Sequence, residues 1–203
     1  MNTLPIAHLV RHGDTEWSAN HKHTGLTDIE LTPAGEAEAR AAGPALTDLR
    51  PAVVLVSPLR RALHTAELAG FAATLEREPD LVEWNYGADE GLTTTEIQSR
   101  RPGWFLFRDG SPDGESPGQI GRRADRVVTR LRALNGDALV FSHGHFLRVL
   151  AARWLGLPVE FGRYLPLSTA AISTLGYEHG PNEPAILRWN DISHLRTLQD
   201  GPD

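Results

Sequence analysis

The sequence predicts a three-layer α/β/α fold on a mostly parallel, doubly wound sheet, with an antiparallel edge and a lid-like excursion. Three observations carry that expectation. Short, mainly apolar runs alternate with longer segments that open on helix N-cap signals, the pattern of βα units around a buried parallel sheet. Two of those runs, 6–10 and 138–141, lead into histidine-glycine pairs, His12-Gly13 and His143-Gly144. The 203 residues suffice for one well-filled domain and are short for two, and neither linker nor repeat interrupts them, so 1–203 reads as a single domain.

Residues 6–10 form the first buried strand. After a polar loop, Thr32-Pro33 starts a helix, with threonine as N-cap and proline at the first helical position. This alanine-rich helix runs to about residue 48, with a bend or interruption expected at Gly43-Pro44. Residues 52–56 form a second buried strand. Ser57-Pro58 opens the next helix by the same cap logic, and that helix ends near Gly70. Residues 75–82 read as a short edge strand and turn.

Over 83–116 the pattern weakens, and five glycines punctuate a segment crowded with Trp84, Tyr86, Trp104, Phe105 and Phe107. This is the excursion from the sheet, with a short helix over 93–100. Its aromatics either cover a site or form a small satellite core. A helix over 119–134, the strand ending at His143 and a helix over 146–155 follow. Residues 170–175 and 185–189 read as two strands joined by a Gly/Pro-rich turn, the antiparallel edge. The tail after Leu198 is expected to fray.

Composition bounds the function. The chain is 40% hydrophobic and 23% charged, as in ordinary soluble proteins. A net charge of -6 argues against general nucleic-acid binding, which needs a basic face, so an anionic ligand requires a local positive pocket. The absence of cysteine excludes disulfides and thiol chemistry. The first residues lack the basic and apolar regions of a signal peptide. No apolar run approaches the ~20 residues of a membrane span. A cytoplasmic enzyme, with neither nucleic acid nor membrane as partner, is the default expectation.

In open α/β sheets ligands bind beyond the carboxyl ends of the strands, so two strand-end histidines share one crevice. Arg11 beside His12 points to phosphate, which a guanidinium grips bidentately. A lone strand-end histidine is more often structural; the number and order of accompanying fragments change the odds. After Arg11-His12-Gly13 come Thr15-Glu16-Trp17, Thr24-Gly25, Asp28, Leu31-Thr32-Pro33-Ala34-Gly35 and Ser57-Pro58-Leu59-Arg60-Arg61-Ala62 with Thr65-Ala66. Leu81-Val82-Glu83, Gly87, Glu90-Gly91, Gly114-Glu115-Ser116 and Ser142-His143-Gly144 complete the series.

In that order the fragments resemble the histidine phosphatase superfamily, in its phosphoglycerate-mutase-like branch, over about residues 9–177. Ser18 with His23-Thr24-Gly25 is most similar to bacterial acid phosphatases and sugar-bisphosphate phosphatases of that branch. The resemblance implies metal-independent phosphomonoester hydrolysis, without cofactor, on a small phosphorylated metabolite, and it allows a homodimer. His12 would be the nucleophile, carrying phosphohistidine. A neutral imidazole whose far nitrogen is held by a backbone carbonyl presents a lone pair to phosphorus. Arg11, Arg61 and His143 would surround the phosphoryl oxygens and stabilise transition-state charge. The family's second arginine follows its serine by four residues, which selects Arg61 and leaves Arg60 on the surface or facing the lid. Ser18, Thr24, Gly25 and Gly144 would complete the phosphate-binding set. Glu83 matches the acid that protonates the leaving alcohol and then activates water.

Three positions depart from the family pattern: Ser18 and Thr169 replace asparagines, and Asp14 replaces a glutamate. Ser18 can still donate to phosphate, with shorter reach. His23 and His145 either touch substrate or are solvated loop histidines, and His21 and Lys22 add positive charge to the rim. His21, His23, His143 and His145 together raise a metal site, but the acidic ligands of a hydrolytic centre do not stand beside them. Two alternatives are a phosphoglycerate mutase and a non-catalytic phospho-ligand binder. The segment after Glu83 contains no lysine, which favours water over a second substrate as acceptor. A binder needs no acid, so Glu83 argues against that class.

Overall fold

The computed structural model describes residues 4–199. Six strands form one sheet in the order β3-β2-β4-β1-β5-β6. They are β1 (Ala7–Arg11), β2 (Val53–Val56), β3 (Leu75–Arg77), β4 (Ala138–Ser142), β5 (Ile172–Tyr177) and β6 (Pro184–Asp191). β1 to β4 are parallel neighbours, whereas β5 runs antiparallel to β1 and β6 antiparallel to β5. The helices are α1 (Glu16–Ala19), α2 (Pro33–Leu46), α3 (Arg60–Ala66), α4 (Thr94–Arg100), α5 (Leu106–Asp109), α6 (Pro117–Arg132), α7 (Gly144–Trp154) and α8 (Arg196–Gln199).

The apolar strands are buried on both faces, as wholly hydrophobic runs require. In β4, Ala138 and Val140 meet Ile120 and Ala124 of α6 and Phe146 and Leu150 of α7. Leu139 and Phe141 point the other way, to Ala42 and Leu46 of α2 and Ala62 and Ala66 of α3. Each buried Val, Leu, Ile or Phe among them contributes about 1.5–3 kcal/mol. The β1–β4 register pairs Arg11 with Ser142. The next residue on each strand is a histidine, so the sheet brings His12 and His143 together.

Several expectations need correction. α2 is not interrupted at Gly43-Pro44 but continues to Leu46. The carbonyl that Pro44 cannot satisfy is that of Arg40, an exposed residue, and only half a turn remains after the proline. Ser57-Pro58 does not cap α3: the helix starts at Arg60, Leu59 is its N-cap, and no side chain caps it. Beyond Ala66 the chain adds a π-helical turn, Glu67–Phe71, and Gly70 breaks it at φ 96°. The excursion aromatics form no satellite core: Trp84, Tyr86, Trp104 and Phe107 are buried in the cluster that holds α6 and α7. The short helices α1, α5 and α8 were not anticipated, because each is too brief to show a period. The expected fraying after Leu198 falls mostly outside the described residues.

Candidate active site

His12 and His143 lie beyond the ends of β1 and β4 with ring centroids 5.1 Å apart. His12 Nδ1 donates to the Gly13 carbonyl at 2.7 Å. The neutral ring therefore keeps its lone pair on Nε2. Burial, reinforced by the Arg61 and Arg11 charges, holds the His12 pKa well below the usual histidine range. Gly13 fits because its Cα packs on another backbone: a Cβ there would lie 2.2 Å from the Gly35 carbonyl oxygen. Its amide donates to Thr65 Oγ1, which donates to the Arg61 carbonyl, so α3 is tied to the His12 loop.

Arg61 is fully buried. Its terminal nitrogens donate to the carbonyls of Thr24, Gly25 and Thr27. The same loop is pinned by Glu90, whose Oε1 accepts from the Gly25 and Thr27 amides. Arg11 donates to the Leu167 carbonyl at 2.6 Å. Gly144 leaves room for it, since a Cβ there would sit 3.2 Å from Arg11 Nε. Neither arginine pairs with a carboxylate among the described residues, and the Nε of each is buried without a partner. His143 Nε2 lies 2.7 Å from Ser57 Oγ, which has no other acceptor for its proton among the described residues. Ser57 therefore donates, and the proton of neutral His143 sits on Nδ1, which is also buried and unpartnered. Burial, with the Arg61 and His12 charges, keeps His143 well below its usual pKa. Three orphaned donors, Arg11 Nε, Arg61 Nε and His143 Nδ1, thus belong to the His12 neighbourhood, each a cost of roughly 1–3 kcal/mol until an acceptor arrives.

Glu83 is buried against the N-terminus of α7. Its Oε1 accepts from the Trp84 and Phe146 amides and its Oε2 from the His145 amide. Helix-end amides favour such a carboxylate site. Arg123 fixes the segment that carries it, donating to the Asp80, Val82 and Glu83 carbonyls and pairing with Glu115 at 2.6 Å.

A cavity of about 440 Å³ opens over these groups, lined by Arg11, His12, Ser18, Glu83, Gly144 and Thr169 among others. Of the expected phosphate-binding residues, Thr24 also lines it, while Arg61, Gly25 and His143 stand behind the wall. Ser18 does not offer its proton to the cavity. Its hydroxyl donates to Asp14 Oδ1 at 2.7 Å and accepts from the Thr15 amide, because the shorter side chain closes a cap on α1. Gly25 acts through its carbonyl, on Arg61. Arg60 is exposed and paired with Glu30. Thr169 donates to Glu38, whose pKa burial raises.

His23 and His145 are not solvated loop histidines. They stack in parallel, 5.8 Å apart, between Tyr86, Trp104 and Phe107. Sequence reasoning missed Arg148, Tyr86 and Ser57 as site residues. Arg148 lies one turn along α7 from Gly144 and lines the cavity; burial lowers its pKa to about 10. Its helical spacing from His143 was the available signal. Ser57 follows β2 directly beside β4, a placement visible only once strand order is known. Among the described residues no three metal-ligating side chains cluster, and no helix is long and apolar enough to cross a membrane.

The chain as a whole is similar to known proteins. The chain is 43% identical over 183 residues to an acid phosphatase of Mycobacterium tuberculosis, covering 88% of this chain and 90% of that one. It is 36% identical over 189 residues to sedoheptulose 1,7-bisphosphatase of Saccharomyces cerevisiae, covering 77% and 69%. The probable phosphoglycerate mutase GpmB of Erwinia tasmaniensis is 31% identical over 201 residues, covering 93% and 94%. A solved structure from Mycobacterium tuberculosis superposes with a TM-score of 0.86 at 39% identity, covering 92% of this chain and 97% of that one. The family model that spans residues 7–192, and so contains both strand-end histidines, Glu83 and the whole sheet, is that of the histidine phosphatase superfamily, branch 1, to which this chain belongs.

Proposed function

We propose that the protein is a metal-independent phosphomonoesterase that works through phosphohistidine on His12. The observation that carries this reading is the set of three orphaned buried donors beside a neutral imidazole. Among the described residues Arg11 Nε, Arg61 Nε and His143 Nδ1 have no partner, and the two arginines pair with no carboxylate. A phosphoryl dianion supplies both acceptors and counter-charge. His12 Nε2 attacks phosphorus, the P–O ester bond breaks, and the ester oxygen leaves with a proton from Glu83. Glu83 then takes a proton from water as it attacks phospho-His12, releasing phosphate and restoring the imidazole. Charge stabilisation of this kind requires only preorganised donors. The depressed His12 pKa supports nucleophilic attack below pH 6.5, in keeping with the relative named acid phosphatase.

Water as acceptor is favoured over a second phosphoglycerate. The excursion contributes no cation to the cavity wall, where the cations besides Arg11 are Lys22 and Arg148. The test is phosphate release from a panel of phosphomonoesters in excess chelator at pH 5.5 and 7.5. The expected result is full activity with chelator and retained activity at pH 5.5, with no phosphoryl transfer between phosphoglycerates. Activity lost to chelator and restored by a divalent metal, or transfer faster than hydrolysis, would overturn it.

A further inference from the structure

Next to the main cavity, and sharing His23, Thr94, His145 and Arg148 with it, lies an annex of about 180 Å³. Trp104, Phe105 and Phe107 supply its apolar side. The two imidazoles at the junction are fixed in opposite tautomers. His23 Nδ1 lies 2.9 Å from the Leu92 carbonyl. A carbonyl can only accept, so Nδ1 carries the proton and Nε2 presents a lone pair. His145 Nδ1 lies 2.6 Å from Tyr86 Oη, and the phenol has no other acceptor among the described residues. Tyr86 donates, so His145 carries its proton on Nε2. Both rings stay neutral, since burial lowers the pKa of each, and burial with the Glu83 charge keeps Tyr86 protonated. Neither Nε2 has a partner among the described residues, and neither is sealed away from solvent.

Resting on the phosphatase reading, we propose that this junction is a leaving-group subsite for polyhydroxylated alcohols, read by His23 Nε2 as acceptor and His145 Nε2–H as donor. A hydroxyl both donates and accepts, so a chain bearing several satisfies both nitrogens. An alkyl or bare aryl group satisfies neither. A second anionic group satisfies the donor and faces the His23 lone pair. Arg148 adds a donor to the same wall: its Nε and one terminal nitrogen are held by the Gly162 and Arg163 carbonyls, and its guanidinium stacks on Phe107 at 4.6 Å. Rings wedged between aromatics cannot turn to suit another ligand, and such fixed polar groups discriminate against analogues that leave them unpaired.

The experiment compares glucitol 6-phosphate with hexyl phosphate, two primary alkyl esters that differ in hydroxyls. Wild type should prefer the glucitol ester roughly tenfold or more in kcat/KM, and each lost hydrogen bond should shrink that ratio about fivefold. His23→Asn and His145→Asn preserve a group at the Nδ1 position and delete Nε2, so each should shrink it. His23→Gln and His145→Gln, which reach the Nε2 position, should restore part of it. Equal or better use of the hexyl ester by wild type overturns the subsite, as does an unchanged ratio in both Asn variants. Calorimetric binding of the two esters to His12→Ala reads the same preference without turnover. Absence of hydrolysis with any ester would therefore sink the phosphatase reading, while the binding ratio still decides the subsite.

Discussion

On the strand-end side of the cavity, Arg11 Nε and, behind the wall, Arg61 Nε and His143 Nδ1 are buried without partners among the described residues. On the excursion wall the large buried polar side chains are each engaged through at least one atom: Tyr86 with His145, His23 with Leu92, Trp84 Nε1 with the Glu115 carbonyl, and Glu83 with three amides. The first wall spends terminal guanidinium nitrogens on loop carbonyls and leaves three ring and guanidinium nitrogens unmatched among the described residues. The second is anchored by those bonds, which hold its open groups, His23 Nε2 and His145 Nε2, rigid at the cavity edge. Strand ends, α3 and α7 build one wall. The other depends on an irregular segment tied to the body by backbone bonds, such as His23 N to Leu92 O and Gly91 N to His23 O, each 2.9 Å.

The largest expected effect that separates the walls comes from Glu83→Gln. General acid assistance is worth ~10²–10⁴-fold. The burst of His12 phosphorylation should slow by that factor with a sugar phosphate and far less with nitrophenyl phosphate, whose phenolate leaves unaided. Equal slowing with both leaving groups would make Glu83 a positioning group and move the acid role to Asp14, the other carboxylate that lines the cavity.

The comparison itself can be broken by two arginine variants. Arg11→Met removes an orphaned donor, so turnover should fall ~10²–10³-fold while the unfolding temperature moves little. Arg123→Met lies behind the excursion wall, where it strands Glu115 and three carbonyls. Breaking a buried ion pair costs about 3–5 kcal/mol, so thermal unfolding should shift down clearly. If Arg11→Met destabilises as much as Arg123→Met, the first wall is structural and not waiting for a ligand.

Much of the strand-end wall was legible in the sequence. Apolar runs that stop at His12 and His143 can only be strand ends, and Gly13 and Gly144 follow from the close approach of the Gly35 backbone and the Arg11 side chain. Arg61 is selected by the family resemblance, whose motif sets an arginine four residues after the serine, but its lodging on three loop carbonyls is not foreseeable, since carbonyls carry no sequence signature. Ser57 itself was read as a helix cap. Its actual partner, His143, is distant in sequence and adjacent only through the β2–β4 pairing. Ser18 was expected to reach phosphate, and the side chain proved short enough to close on Asp14 instead. The excursion wall was harder to read because its aromatics are interleaved with turns and show neither helical nor strand period. Their membership of the main core emerged only with α6 and α7 in place. His23 and His145 could not be told from loop histidines without the rings that clamp them.

The central claim is a covalent bond between His12 and phosphorus. Wild-type protein mixed briefly with labelled phosphomonoester and quenched in alkali should carry label that survives base and is released by acid, as a phosphoramidate does. Peptide mapping should place it on His12, and His12→Ala, with its fold intact by circular dichroism, should carry none. Label that is stable to acid, label on another residue, or turnover by His12→Ala near the wild-type rate would contradict the account.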